Sequence, residues 1–474
     1  MRKQQLRHIN KTVFLACCMV LAQKHEALAA APSNSNGTNF TSSPDTIFLA
    51  QNQPDLAIPT EKVLPVKGSS DVAGERLGQA ATESKESPFG LRSGRYHAFL
   101  DLKQQYSDNI NNTPDNELDD WTTVISPGVW ISLPAQPQIT FAVNTSNTSP
   151  GGLSLFLERP EAFSRYQFYL MYGAIVERYD SYSERDNTKQ TVDGFLQYNL
   201  RGGLSMNFFN KFLDSQNPMG VGDSTEIDKF KSNLLGSILN YDLSEKFEAR
   251  ADVRRFDLDY ERAASNGRDR TDNSLELYFF YKYSPKTQIF LDYEYVDISY
   301  DISQNLDAVN HTPSLGLRWM PTEKTKIIAK GGSVTKRFDD NASGDVSRPS
   351  FDLQAFYSPT VKTQVNLSSS YKLGETTVAT ADYSEDFNVA GAFSLQMTEK
   401  VRASISASYT VNDFSDRTAA SRTDKSHSIS PILQYKFRDW LTGGAGYTFQ
   451  ERSSNLSAYD YTNNTVYVQL AAGM

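Results

Sequence analysis

From Leu275 to Tyr283 every second residue is apolar or aromatic (Leu275, Leu277, Phe279, Tyr281, Tyr283), with Glu276, Tyr278, Phe280 and Lys282 between them. A tight Ser284-Pro285-Lys286-Thr287 turn follows, and then Ile289, Leu291, Tyr293 and Tyr295 alternate with Gln288, Phe290, Asp292 and Glu294. Period-two alternation makes an extended strand whose two faces meet different surroundings. Two such strands around a short turn make a hairpin. The unit recurs, with comparable turns at Leu243-Ser244-Glu245-Lys246, Pro321-Thr322-Glu323-Lys324, Ser358-Pro359-Thr360-Val361, Met397-Thr398-Glu399-Lys400 and Phe437-Arg438-Asp439-Trp440. A repeat of about 40 residues fits two strands of roughly a dozen residues, one short turn and one long loop. Soluble sandwiches use strands of only about 5–6 residues, whereas strands twice as long suit a tilted crossing of a bilayer.

No apolar run approaches the ~20 residues that a spanning helix requires, and the mean hydropathy is -0.50. In hydrocarbon every backbone N–H and C=O needs an internal partner, so the only other spanning form is a sheet without edges. Low hydropathy is then expected, because only alternate residues of each strand touch lipid. The fold class that follows is all-β: a transmembrane antiparallel β-barrel of about eighteen strands, with sixteen as the alternative.

Residues 1–29 read as a secretory signal, with Arg2, Lys3, Arg7 and Lys11 before an apolar core from Thr12 to Ala22. Residues 30–90 are rich in Pro, Ser, Asn, Thr and Gln and cannot bury enough surface to offset ordering. That stretch is a low-complexity periplasmic lead, or else a lumen plug. Residues 91–474 are the barrel. Removing the signal leaves 42 basic against 55 acidic residues, a net charge of -13. Nucleic acid calls for the opposite sign and is excluded as a partner. Both cysteines, Cys17 and Cys18, fall within the signal, so disulfides and thiolate chemistry are excluded from the remainder.

Strands are expected near 166–180, 189–201, 203–214, 228–242, 245–260, 271–284, 287–301, 309–320, 324–339, 347–358, 361–374, 384–397, 400–413, 424–437, 440–453 and 461–474. A first pair runs from Tyr96 and back through Trp121 to Ile131. Short turns face the periplasm and long loops face outside in such barrels. On the last strand Val466, Val468, Leu470, Ala472 and Met474 point outward, with Tyr467, Gln469 and Gly473 inward. The stretch from Leu133 to Ser164 carries Pro134, Pro137, Pro150, Gly151, Gly152 and Pro160. It is too long for a simple turn, and should carry a short strand pair or cover one barrel end.

Several segments together resemble the bacterial outer-membrane β-barrel porin-2 (BBP2) family: Tyr106-Ser107-Asp108-Asn109-Ile110, Ile125-Ser126-Pro127-Gly128-Val129, the repeated turns, Phe290-Leu291-Asp292-Tyr293-Glu294-Tyr295, and Tyr461-Thr462-Asn463-Asn464-Thr465-Val466. The resemblance runs from Gly94 onward. It departs at Met474, where an aromatic residue is usual, and at Leu133 to Ser164, which looks inserted. It implies an outer-membrane conduit for an exopolysaccharide or capsular polysaccharide, working beside a periplasmic export or synthesis complex in a Gram-negative bacterium. The residues themselves indicate only a barrel, for which a general or substrate-selective diffusion porin for small solutes is the alternative. Outer-membrane lipid and lipopolysaccharide would surround it.

Alternation turns Glu248, Arg250, Asp252 and Arg254 inward, with Asp292, Glu294, Lys326, Lys330, Gln364, Asn366 and Arg402. Charges of both signs along a lumen set the field that a solute meets, so Arg250, Asp252, Arg254, Asp292, Glu294, Lys326, Lys330, Gln364 and Arg402 are the candidate pore-lining set. Inward Tyr278, Phe280, Phe290 and Phe356 either stack against sugar faces or pack against the wall. Tyr241, Tyr283, Trp319, Tyr357, Phe437 and Trp440 sit near turn ends, where an interfacial aromatic girdle belongs. Asp339 to Asp345 offers hard oxygens but lacks a Ca²⁺-loop spacing, and reads as a solvated loop. His97, His311 and His427 are widely separated and sit in no catalytic frame. An enzyme, a metal site and a cofactor are therefore not expected.

Overall fold

The computed structural model describes residues 94–135, 143–153, 165–217, 227–340, 344–376, 378, 381–416 and 422–473. The signal, the 30–90 segment, Met474 and part of the Asp339–Asp345 loop lie outside the described residues. The strands are β1 (Tyr96–Ser107), β2 (Asp120–Leu133), β3 (Tyr166–Tyr179), β4 (Asn187–Asn199), β5 (Leu204–Asn217), β6 (Asp228–Asp242), β7 (Phe247–Tyr260), β8 (Arg270–Ser284), β9 (Thr287–Tyr300), β10 (Ala308–Thr322), β11 (Thr325–Phe338), β12 (Val346–Thr360), β13 (Thr363–Gly374), β14 (Ala381–Gln396), β15 (Val401–Asp416), β16 (Arg422–Arg438), β17 (Leu441–Ser454) and β18 (Tyr461–Gly473).

Each strand pairs antiparallel with its sequence neighbours, and β18 closes on β1 from Phe99↔Gly473 to Ser107↔Thr465. Closure removes the two free edges that would otherwise leave backbone groups unpaired in lipid. The sixteen later strands all form, with ends within three residues of those read from alternation.

The outer face carries the apolar half of the alternation. On β18 Val466, Val468 and Leu470 are exposed while Tyr467 is buried. The six girdle aromatics are all exposed and cluster at the short-turn end. On β10, Leu315 is 58% exposed and lies beside Leu291 and Gly331 of its neighbours. Such a side chain is stable only against hydrocarbon. Leu315→Arg is therefore expected to cost about 2–4 kcal/mol, read by urea titration of the refolded barrel in lipid, with Leu315→Ala far milder. An arginine that leaves stability unchanged would remove lipid from that face.

The two barrel ends use different local chemistry. At the short turns a hydroxyl accepts the N–H two residues on, as Ser244, Ser284, Thr322, Thr360 and Thr398 do for Lys246, Lys286, Lys324, Lys362 and Lys400. This Ser/Thr turn fixes the reversal locally. At the long-loop end, an aspartate that follows a short 3-10 segment accepts the N–H of the last residue of the outgoing strand. Asp186 does this for Tyr179, Asp269 for Tyr260, Asp307 for Tyr300 and Asp460 for Ser454, at 2.6–2.9 Å.

Candidate functional site

Six of the nine candidate pore-lining residues come together on β7, β9 and β11, where Glu276 and Tyr278 of β8 join them. The Arg250 Nε donates to Asp252 at 2.7 Å. Arg254 donates to Ser274 at 2.9 Å, to Glu276 at 2.7 Å and to Glu294 at 2.6 Å. Lys330 reaches across from β11 to Glu276 at 3.0 Å and Asp292 at 2.8 Å. The Tyr278 hydroxyl donates to Glu276, and the Arg250 guanidinium lies 4.9 Å from the Tyr278 ring centre. Arg250, Asp252, Arg254 and Asp292 are buried and Glu294 is a quarter exposed. Buried charges are tolerated when each meets opposite charge and hydrogen bonds, and this lattice meets that condition. It is a packed wall that holds three cations against four acids.

Sequence reasoning treated six members of this lattice as separate lining residues and left Glu276 out of the set. Lys326, Gln364 and Arg402 stay outside it. Lys326 lies 5.8 Å from the Phe356 ring centre, Arg402 donates to Ser394 at 2.8 Å, and Gln364 is half-buried. Tyr278, Phe280 and Phe290 are buried against one another with ring centres 5.3–6.0 Å apart. Of the two expectations for these rings, mutual wall packing is the one realised.

The inner wall of β3 to β7 carries an apolar patch: Tyr169, Phe195, Phe209, Phe230, Leu234, Ile238, Phe256 and Leu258 are all buried and form one cluster. An apolar patch facing a water-filled lumen is unfavourable unless something covers it. The cover includes Val143 and Leu153 of the β2–β3 connection.

That connection leaves β2 at the short-turn end, where Leu133 pairs with Phe168. Its described tip, residues 143–153, lies among groups at the opposite, long-loop end. The Gly151 N–H donates to Asp272 at 2.9 Å, and the Ser149 carbonyl accepts from Arg270 at 3.5 Å. Asn147 donates to Asn217 at 3.4 Å, and the Thr148 carbonyl accepts the Glu375 N–H at 2.7 Å. Asp272 and Arg270 open β8, Asn217 closes β5, and Glu375 follows β13, all at the loop end. The described tip therefore sits at the opposite end of the barrel from the end at which the connection leaves β2. Thr145 and Leu153 form one antiparallel bridge, all that remains of the expected strand pair among the described residues.

The tip's shape follows from Ser149-Pro150-Gly151-Gly152. Proline suits the first position of the 3-10 turn, where its missing N–H is not needed. Gly151 and Gly152 then take φ values of 68° and 74°, a region that side chains disfavour. A Cβ at Gly152 would stand 2.2 Å from the Phe256 ring, so only glycine lets the turn lie flat on β7.

On the far side of the tip, the Glu375 carboxylate accepts from Lys336 at 2.6 Å and from the Tyr300 hydroxyl at 2.8 Å, with Glu375 and Lys336 both fully buried. Burial opposes the Glu375 carboxylate, but Lys336 and Arg270 outweigh it and hold its pKa below the ordinary glutamate range. The β13–β14 connection and the β2–β3 tip thus meet inside the lumen from opposite ends of the barrel. Sequence reasoning missed this junction. Its only signals were the Pro-Gly-Gly turn and adjacent apolar pairs such as Leu234-Leu235 and Ile238-Leu239, which break the alternation by making both faces of β6 apolar.

The wall of β13 to β17 differs. Many of its inward positions, among them Ser368, Ser394, Ser404, Ser406, Ser408 and Ser428, are partly exposed, while Ser370, Asn388 and Ser430 are buried. Among the described residues no group of three or more His, Cys, Asp or Glu is placed to hold a metal.

Comparison with known proteins identifies the family. The family model described as "Putative beta-barrel porin 2" matches residues 161–473, more than half of the chain. No curated protein matches the sequence. Among solved structures, OccAB4 of Acinetobacter baumannii superposes with a TM-score of 0.42 at 11% identity, covering 81% of this chain and 100% of that one. OprD of Pseudomonas aeruginosa gives 0.39 at 11%, with 80% and 95% covered. The ferric enterobactin receptor PfeA of the same organism, in a mutant form, gives 0.40 at 9%, with 81% of each covered. With eighteen strands closed on themselves, an apolar outer face and the family match over most of the wall, the chain belongs to the beta-barrel porin 2 family of outer-membrane proteins.

Proposed function

We propose that this barrel is a passive channel for small hydrophilic solutes across the outer membrane of a Gram-negative bacterium, with its path confined to the sector of β13 to β17. The observation that carries this reading is the contrast between the two sides of the inner wall. From β3 to β9 the inward side chains are buried, beneath the β2–β3 tip or within the charge lattice. From β13 to β17 most of those at mid-depth are partly exposed, with Ser370, Asn388 and Ser430 the buried ones. An eighteen-stranded barrel is wide enough for an aqueous lumen, and a segment docked on one side leaves the passage on the other. Six of the nine candidate residues then form a structural group on β7, β9 and β11, Gln364 and Arg402 face the path, and Lys326 lies beside Phe356 outside both.

Export of an exopolysaccharide or capsular polysaccharide is the cargo that the family resemblance implies. The docked tip weighs against it, because a polymer in transit needs a continuous free bore past the junction of Thr148 with Glu375. Reconstitution into planar bilayers and liposomes tests the reading. Steady unitary conductance, with swelling in small sugars that falls off with solute size, is expected. A barrel that refolds but passes neither ions nor sugars would refute it, and loss of surface polysaccharide on gene deletion would favour export instead.

A further inference from the structure

We infer that the β13–β17 sector selects for uncharged, hydroxyl-bearing solutes through a belt of neutral hydrogen-bonding side chains; this rests on the channel reading above. The inward face is fixed by its opposite. Ile405, Ile429 and Leu433 are exposed to lipid, so the residues alternating with them line the lumen. Register then aligns the belt across strands. Ser404 pairs with Ser394 and Ile432, Ser406 with Ala392 and Ser430, and Ser408 with Ala390 and Ser428. On the next strand Gly446 lies opposite Ile432, and Thr448 accepts from Ser430 at 3.0 Å.

No inward position is charged within Asn366–Ser370, Asn388–Ser394, Ser404–Thr410, Ser426–Gln434 or Gly444–Gln450. The charges of this sector stand at its two ends. Arg402 lies toward the short turns, while Lys372, Asp386 and the Arg422–Asp424 pair lie toward the loops. Across the lumen, by contrast, the mid-depth wall is the charge lattice, whose three cations are each paired with acids.

A hydroxyl donates one hydrogen bond and accepts two, and the amides at the belt's margins do both as well. A sugar passing such a wall can exchange water for protein partners one for one. A fully charged solute entering the same sector gives up part of its hydration and finds no fixed counter-charge within the belt. Small side chains keep much of this part of the wall thin, while at Gly446 the absent side chain makes room for the Tyr467 ring.

The test compares equal-sized solutes and then writes a charge into the belt. In liposome swelling, an uncharged sugar should enter at least about threefold faster than its amino or acid counterpart. In planar bilayers, Ser406→Asp and Ser406→Lys should move the K⁺/Cl⁻ permeability ratio in opposite directions, each by about threefold or more. Should either variant misassemble, Ser408→Cys gives a second route, because Cys17 and Cys18 are the only native cysteines. Membrane-impermeant thiosulfonates of opposite charge should then shift selectivity in the same two senses. A barrel that conducts but keeps one reversal potential in every variant, or that admits charged and uncharged sugars equally, overturns the proposal. A wild-type barrel that does not conduct refutes the channel reading itself, and this proposal falls with it.

Discussion

Gly152→Val is expected to raise the conductance of the reconstituted barrel by about twofold or more while leaving the wall folded. Valine is disfavoured twice at this position. Its branched Cβ must adopt φ near 74°, at roughly 1–3 kcal/mol, and it must occupy space held by the Phe256 ring 2.2 Å away. The wall strands make their ladder bonds without the tip, so the cost falls on docking. Once the turn lifts, Asp272 loses the Gly151 N–H, Arg270 loses the Ser149 carbonyl and Glu375 loses its partner at Thr148. Heat-modifiable gel mobility should remain that of wild type. An unchanged conductance in a correctly assembled variant would mean that the tip does not limit the bore.

Arg254→Met should destabilise the barrel by about 3–5 kcal/mol, the usual consequence of deleting one member of a buried ion group. Arg254 bridges the Glu276 and Glu294 carboxylates, and its removal leaves both short of a cation, Glu276 in a buried position. The expected signature is a lowered urea midpoint with unchanged slope. Arg254→Met combined with Glu276→Gln and Glu294→Gln should recover much of the loss, because the destabilisation comes from unbalanced charge and not from missing volume. If the triple variant is as unstable as the single one, packing and not electrostatics governs the site.

The outer half of this molecule was legible in its sequence because lipid imposes one strict rule on every second residue. Leu275 to Tyr283 and Val466 to Leu470 obey that rule, and strand ends follow from where the rule stops. The inner face answers to no such rule. Asp252 and Ser406 are both inward and polar, yet one is buried in the charge lattice and the other is partly exposed. Alternation carries no record of which inward residues will pair across strands, nor of which arc of wall the β2–β3 tip will cover. Charge drew the sequence reading toward Arg250, Asp252 and Arg254, whereas the partly exposed face is built from serines too ordinary to stand out singly. Glu375 and Lys336 escaped notice because their pairing depends on β13 ending where a connection turns into the lumen.

The contacts of residues 143–153 also bear on how the molecule is made. Gly151 meets a partner 121 positions further along, and Thr148 waits for Glu375, later still. Seating therefore needs β8 and the end of β13 to be in place, because those segments supply its partners. Until then Phe256 and its apolar neighbours go without the cover that this segment gives them.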